Sequence, residues 1–202
     1  MTDSKYIVFD IGNVVLEWQP EHILRTVFGV QDVEELLQQT FLSPEWKAYD
    51  HGVMTTKELK EQLALNLQCS VMAIESLLQS VVLALRPIPE VVELIQQLKQ
   101  RGYTCYALSN MPADIFNRLF EEHSFWHLFD DIIISGQIKM SKPEPEIFKF
   151  VLDKHNLSAE QCIFLDDSKQ NVETARQLGF TAIKVINPQQ AIDDLSALLN
   201  LS

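Results

Sequence analysis

Five short apolar runs, each followed by turn-forming or polar residues, constrain this chain more than any other feature. They lie at residues 6–9, 104–108, 132–134, 162–165 and 182–185. Each is too short for a helix, and stretches with helical periodicity separate the later ones, at 90–101, 113–122, 144–154, 169–178 and 189–199. Strand and helix therefore alternate from Pro87 onward. That rhythm implies a doubly wound α/β fold, with a parallel sheet covered by helices on both faces.

One interval breaks the rhythm. A strand–helix–strand crossover takes about 30 residues, yet Asp10 and Ser109, each at the end of a strand, are 99 positions apart. The surplus is helical in pattern at about 20–39, 44–51, 55–66 and 70–85, and Thr55 with Glu58 reads as a capping box opening the third segment. Residues 17–86 are thus expected to form an all-helical cap carried by the first crossover, with 1–16 and 87–202 as the α/β core.

Composition narrows the partners. The 202 residues carry a formal charge of −12, and no two Lys or Arg are adjacent, so the concentrated basic footprint of a nucleic-acid groove or an anionic membrane surface is missing. No apolar stretch reaches the roughly 20 residues of a membrane span, and the first residues resemble neither a signal nor a transit peptide. Three cysteines, an odd number, give no disulfide framework and point to a cytoplasmic setting. Oligomeric state has no signature in the residues.

Chemistry gathers where strands end. In an open parallel sheet, ligands bind beyond the carboxyl ends of the strands. Asp10 follows the first run, Ser109-Asn110 the second and Asp166-Asp167 the fourth. Any one of these could be an ordinary turn or cap, but adjacent carboxylates after a buried strand repel each other unless a cation compensates. Lys142, in Met140-Ser141-Lys142-Pro143-Glu144, supplies a positive charge, with Pro143 placed to open the next helix. A divalent ion such as Mg²⁺, held by Asp10, a backbone carbonyl and the Asp166-Asp167 pair, would let a carboxylate approach an anionic phosphoryl group. Ser109 and backbone N–H groups could then grip the equatorial oxygens. Phosphoryl transfer through an aspartyl-phosphate fits this set of parts.

These residues resemble the haloacid dehalogenase-like hydrolase superfamily, whose four motifs appear in order over nearly the whole chain. They are Phe9-Asp10-Ile11-Gly12-Asn13-Val14, Leu108-Ser109-Asn110, Ser141-Lys142-Pro143, and Phe164-Leu165-Asp166-Asp167 with Asn171 in the next helix. The resemblance implies a Mg²⁺-dependent hydrolase with Asp10 as nucleophile, Ser109 and Lys142 on the phosphoryl group, and Asp10, the Gly12 carbonyl and Asp167 on the metal, assisted by Asp166. It also implies that the helical insertion is a cap.

One departure stands out. Most phosphatases of the family carry a second aspartate two residues after the nucleophile as general acid and base. Here that position is Gly12, and Asn13 replaces a threonine. The form is similar to a bacterial subgroup that includes α-glucose-1-phosphate phosphatases. Either the leaving group needs little protonation, or a cap residue supplies the proton, with Asp50, His51 and His22 as candidates.

The expectation is a phosphatase of a small phosphorylated metabolite, a sugar phosphate being one candidate. Two other readings stay open: a 2-haloacid dehalogenase, which needs no metal and no second aspartate, and a non-catalytic phospho-ligand-binding module. His123 and His127 have the i, i+4 spacing of a zinc helix but lack the accompanying glutamate, and the aromatic residues around them read as core.

Overall fold

The structure is a computed structural model that describes residues 6–201. The first strand, β1 (Tyr6–Phe9), leads into five helices: α1 (Pro20–Phe28), α2 (Glu34–Gln39), α3 (Pro44–Asp50), α4 (Thr56–Asn66) and α5 (Val71–Ala84). The chain then alternates through α6 (Pro89–Gln100), β2 (Thr104–Ser109), α7 (Ala113–Glu122), β3 (Asp131–Ile134), the short α8 (Ser135–Ile138) and α9 (Pro145–His155). It finishes with β4 (Cys162–Asp166), α10 (Lys169–Gln177), β5 (Thr181–Lys184) and α11 (Pro188–Leu199).

Among the described residues the five strands form one sheet in the order β3-β2-β1-β4-β5, and every pairing is parallel. The expected doubly wound α/β class is observed. Strand order reverses around β1, which lies between β2 and β4, with Val8 opposite Tyr106 on one side and Phe164 on the other. A crevice at the carboxyl end of β1 follows from that reversal.

Alternation along the strands divides the core. Ile7 and Phe9 face one layer, where they meet Leu94 and Leu98 of α6, Leu119 of α7 and Leu195 of α11. Val8, Tyr106, Leu108 and Phe164 face the other, against Phe148 of α9 and Val172 of α10. Because both faces are covered, the strands read as continuous apolar runs. The inserted helices join the first layer through Ile23, Leu59, Leu63, Ile74 and Leu77.

Local chemistry explains most boundaries. Thr55 Oγ1 accepts from the Glu58 amide at 3.3 Å while Glu58 Oε2 accepts from the Thr55 amide at 2.8 Å, so α4 opens with the expected capping box. Two expectations are corrected. The helical stretch expected over 20–39 is two helices, because Gly29 takes a left-handed conformation (φ 67°) that caps α1. Pro143 does not open a helix; α9 begins at Pro145, and Lys142-Pro143 lies in the turn before it. The strands β2 and β4 also run one residue further than expected, so Ser109 and Asp166 belong to the sheet itself.

Among the described residues no single helix is long and apolar enough to cross a membrane. The cysteines are free, and burial pushes the thiols of Cys105 and Cys162 up to about 12.

Candidate active site

Asp10 leaves β1 with its amide donating to the Leu165 carbonyl at 2.8 Å, which fixes the crossing point between β1 and β4. The next residues make a tight loop. Amides of Val15 and Leu16 both donate to the Ile11 carbonyl, and Asn13 adopts a left-handed conformation (φ 56°) that asparagine tolerates well. The loop returns the Asn13 side chain to the sheet edge, where Nδ2 donates to Asp167 Oδ2 at 2.8 Å. Asn13 Oδ1 also accepts from the Trp18 amide at 3.2 Å.

The charged centre is compact. Carboxylate oxygens of Asp10, Asp166 and Asp167 all lie within 4.8 Å of one another. Lys142 is not a solvated surface lysine; it is 4% exposed. Its Nζ stands 2.7 Å from Asp10 Oδ1 and 2.7 Å from Asp166 Oδ2, and donates to the Leu108 carbonyl at 2.8 Å. Asn110 clamps the lysine's main chain: its Oδ1 accepts from the Lys142 amide and its Nδ2 donates to the Lys142 carbonyl, both at 2.8 Å.

Asp166 is fully buried and well supplied, accepting from the Ser168 amide at 2.7 Å and from Asn171 Nδ2 at 3.0 Å in addition to Lys142. Asp10 is served less well. Burial drives its carboxyl well above the ordinary carboxylate range, Lys142 opposes that, and the neighbouring Asp166 and Asp167 reinforce it. For Lys142, burial works against the charged form, but the two carboxylates outweigh it and hold the ammonium protonated. Within the cluster of three carboxylates one ammonium is shared by two, Asp10 and Asp166. With all four groups charged the centre is left with two negative charges, which a divalent cation would cancel. Hard, crowded carboxylate oxygens are donors suited to Mg²⁺. Ser109, 3% exposed at the end of β2, makes no side-chain hydrogen bond among the described residues, so its hydroxyl is free for a ligand.

Above this centre lies a cavity of about 270 Å³. Asp10, Gly12, Ser109, Asn110, Lys142 and Asp167 line its floor, so the sequence-predicted site residues converge, apart from Asp166, which sits beneath it. The inserted helices roof it and are fastened to the core at several points. Tyr49 Oη donates to Asp114 at 2.6 Å, and Thr56 Oγ1 donates to the same carboxylate at 2.5 Å. His51 Nδ1 pairs with Ser141 Oγ at 2.7 Å, one residue before Lys142. Gly52 (φ 76°) presses against Gly136 so closely that any Cβ would overlap the Gly136 carbonyl.

Of the three cap residues considered as proton donors, only Asp50 faces the cavity. Its enclosure pushes the carboxyl well above the usual range, with no cation offsetting the burial. His51 is engaged with Ser141, and His22 lines a separate depression beside α5. The His123–His127 pair does not form a metal cluster among the described residues; its segment buries Phe125 and Trp126. Sequence reasoning missed Lys184, whose Nζ reaches the main-chain carbonyls of Asp167 and Val185. It also missed the apolar cavity wall, because facing is invisible in a helical pattern without the partner surface.

A doubly wound parallel sheet with an acid cluster at its switch point, one buried lysine beside it and a helical roof above defines a class of α/β hydrolases. The chain belongs to the haloacid dehalogenase-like hydrolase family, whose sequence model matches residues 5–179. It is 28% identical over 198 residues to the sesquiterpene phosphatase AstK of Aspergillus oryzae, covering 98% of both chains. Of several other curated relatives it spans less than half the length. Its fold is similar to that of a HAD-family enzyme of Bacteroides thetaiotaomicron, with a TM-score of 0.79 at 23% identity over 97% of this chain and 98% of that one. That enzyme has also been crystallised with magnesium and inorganic phosphate. An L-2-haloacid dehalogenase from Xanthobacter autotrophicus shares the fold as well, with a TM-score of 0.68 at 18% identity over 98% of this chain and 84% of that one. Fold likeness therefore does not choose between the chemistries.

Proposed function

We propose that this chain is a Mg²⁺-dependent phosphomonoesterase acting on a small phosphorylated substrate, with residues 17–86 as a cap over an active site in the 1–16 and 87–202 core. The observation that carries the reading is the cluster of three carboxylates around a single buried ammonium. Displacing halide from carbon needs no divalent cation and would leave the surplus negative charge of that cluster uncompensated, whereas phosphoryl transfer uses the cation such a cluster would hold. The phosphatase among the full-length relatives and the magnesium–phosphate complex of a structural neighbour support the same choice.

In this reading Asp10, Asp167 and the Gly12 carbonyl hold the metal, and Asp166 assists mainly by fixing Lys142 and by its own charge. Bound there, the cation would neutralise the approach of a carboxylate to an anionic ester. The remaining steps belong to the chain. Lys142 and the hydroxyl of Ser109 bind non-bridging phosphoryl oxygens, and Asn110 keeps Lys142 in place through its main chain. An oxygen of Asp10 attacks phosphorus as the bond to the ester oxygen breaks, giving an aspartyl-phosphate and the alcohol, which takes its proton from a water molecule or an acidic group enclosed with it. Water then attacks phosphorus, the acyl phosphate bond breaks, and phosphate leaves with the Asp10 carboxylate restored. The cap, fastened through Asp114 and Ser141, excludes bulk water during both steps.

Hydrolysis of p-nitrophenyl phosphate with and without EDTA tests this. Activity lost with EDTA and restored by Mg²⁺ is expected. Chloride release from 2-chloropropionate unaffected by EDTA would replace the reading with dehalogenation.

A further inference from the structure

The cavity has two chemically distinct ends. The hydrogen-bonding side chains on its floor come from the strand ends and the loops after them, with Asn171 added from the first turn of α10. The opposite wall is built from Trp18, Phe41, Leu42, Trp46, Val81 and Leu85. Trp18, Phe41 and Trp46 stack edge to face in sequence, with ring centroids 5.1 and 4.6 Å apart, so the wall is braced rather than loosely filled. No Ser, Thr, Asn, Gln, His, Lys or Arg side chain lies on it, and Asp50 is its one ionisable group.

Resting on the phosphatase reading, we infer that the substrate is the phosphomonoester of a compact apolar alcohol, an aromatic ring or short branched hydrocarbon, and not a sugar phosphate. A sugar would bring several hydroxyls against a surface that offers one carboxyl and the indole N–H groups of Trp18 and Trp46 to meet them. Each hydroxyl buried without a partner costs roughly 1–3 kcal/mol, whereas a hydrocarbon gains from the same surface. Size agrees. An apolar cavity of about 150 Å³ accommodates a benzene ring, and this one, at about 270 Å³, has room for such a group and the phosphoryl head together. Gly12 favours the aromatic members of that class: it offers no proton, and a phenol, with a pKa of about 10, departs without one more readily than an alkyl or sugar alcohol does.

The test compares 3-methylbutyl phosphate with glucose 6-phosphate in the presence of Mg²⁺. Both are esters of primary alcohols, and the neighbouring oxygens make the sugar the more acidic leaving group, so a preference for the hydrocarbon ester reports the pocket and not the leaving group. The expected kcat/KM is at least roughly 100-fold higher for the hydrocarbon ester. Leu42→Asn, at an exposed position that the fold does not depend on, is expected to reduce that ratio roughly tenfold. Equal or faster turnover of the sugar phosphate overturns the substrate assignment and leaves the phosphatase reading standing. Should neither ester turn over, p-nitrophenyl phosphate separates the cases: its hydrolysis leaves the phosphatase reading standing with a site that cannot expel an alkoxide, and silence there as well overturns that reading. Calorimetry with 3-methylbutylphosphonate and glucose 6-phosphate then decides the ligand class separately: tighter binding of the hydrocarbon supports it, and equal or weaker binding overturns it.

Discussion

Gly12→Asp is the most informative single change, because it reinstates a carboxyl where most phosphatases of the family carry one. The backbone permits it. Gly12 is outside the left-handed region, and a Cβ there would meet Trp18 Cβ at 3.8 Å and Cγ at 4.0 Å, ordinary van der Waals contacts. The new carboxyl would lie against an indole and near existing carboxylates. At about 6 Å and an effective dielectric of about 20, one such neighbour contributes roughly 3 kcal/mol of repulsion, or about two pKa units. The group would therefore be partly protonated near neutrality, as a general acid must be. Such an acid contributes roughly 10²–10⁴ in rate, equivalent to about 2.7–5.4 kcal/mol of barrier. The benefit falls on poor leaving groups, so kcat is expected to rise for 3-methylbutyl phosphate and to change little for phenyl phosphate. The ratio of the two, measured with saturating Mg²⁺, is the readout. A folded, Mg²⁺-binding variant with an unchanged ratio would refute the idea that the missing acid at this position limits turnover of poor leaving groups.

Other consequences are tested separately. Lys142→Met leaves Asp10 and Asp166 buried without their ammonium, so chemical denaturation is expected to show a loss of about 3–5 kcal/mol. That loss should shrink at acid pH, where the carboxylates are protonated. For Asp50, folding raises the pKa above its ordinary 3.8, so the native state holds the proton more tightly than the unfolded chain. Stability is fully present below that value and declines as pH rises toward the elevated one; urea titrations should show a shallower decline in Asp50→Asn. Mg²⁺ at about 100 times its Kd is expected to add about 2.7 kcal/mol, or roughly 5–11 °C in Tm for a chain of this size. Asp167→Asn should remove most of that shift; a full shift in the variant would contradict its place in the metal site.

The parts of the fold that were legible are those written in local periodicity. All five strands were marked by runs bounded with polar residues, and the 99-residue gap between Asp10 and Ser109 exposed the inserted helices. The acid cluster was legible because a parallel sheet brings strand ends to one edge whatever the loops between them do. Lys142 was found by its sign, yet its placement was not: burial of an ammonium depends on Asp10 and Asp166, residues 132 and 24 positions away. The break at Gly29 was missed because a glycine inside a helical pattern is tolerated about as readily as it ends one. Asp50 could not be separated from its neighbour His51, since successive helical residues diverge by about 100°, nor from His22 on α1, since only the packing of the two helices decides which side chain faces inward. The apolar roof escaped for the same reason. Trp18, Phe41 and Trp46 had the pattern of core residues, which they also are, and their cavity-facing edges follow from how α3 and the β1 loop meet.

Mass spectrometry of acid-quenched enzyme turning over phenyl phosphate with Mg²⁺ addresses the central idea most directly. One added phosphoryl group mapping to Asp10, absent in Asp10→Asn and in EDTA, is the expected result. Steady turnover without any phosphoryl adduct on Asp10, or undiminished turnover by Asp10→Asn, would contradict it.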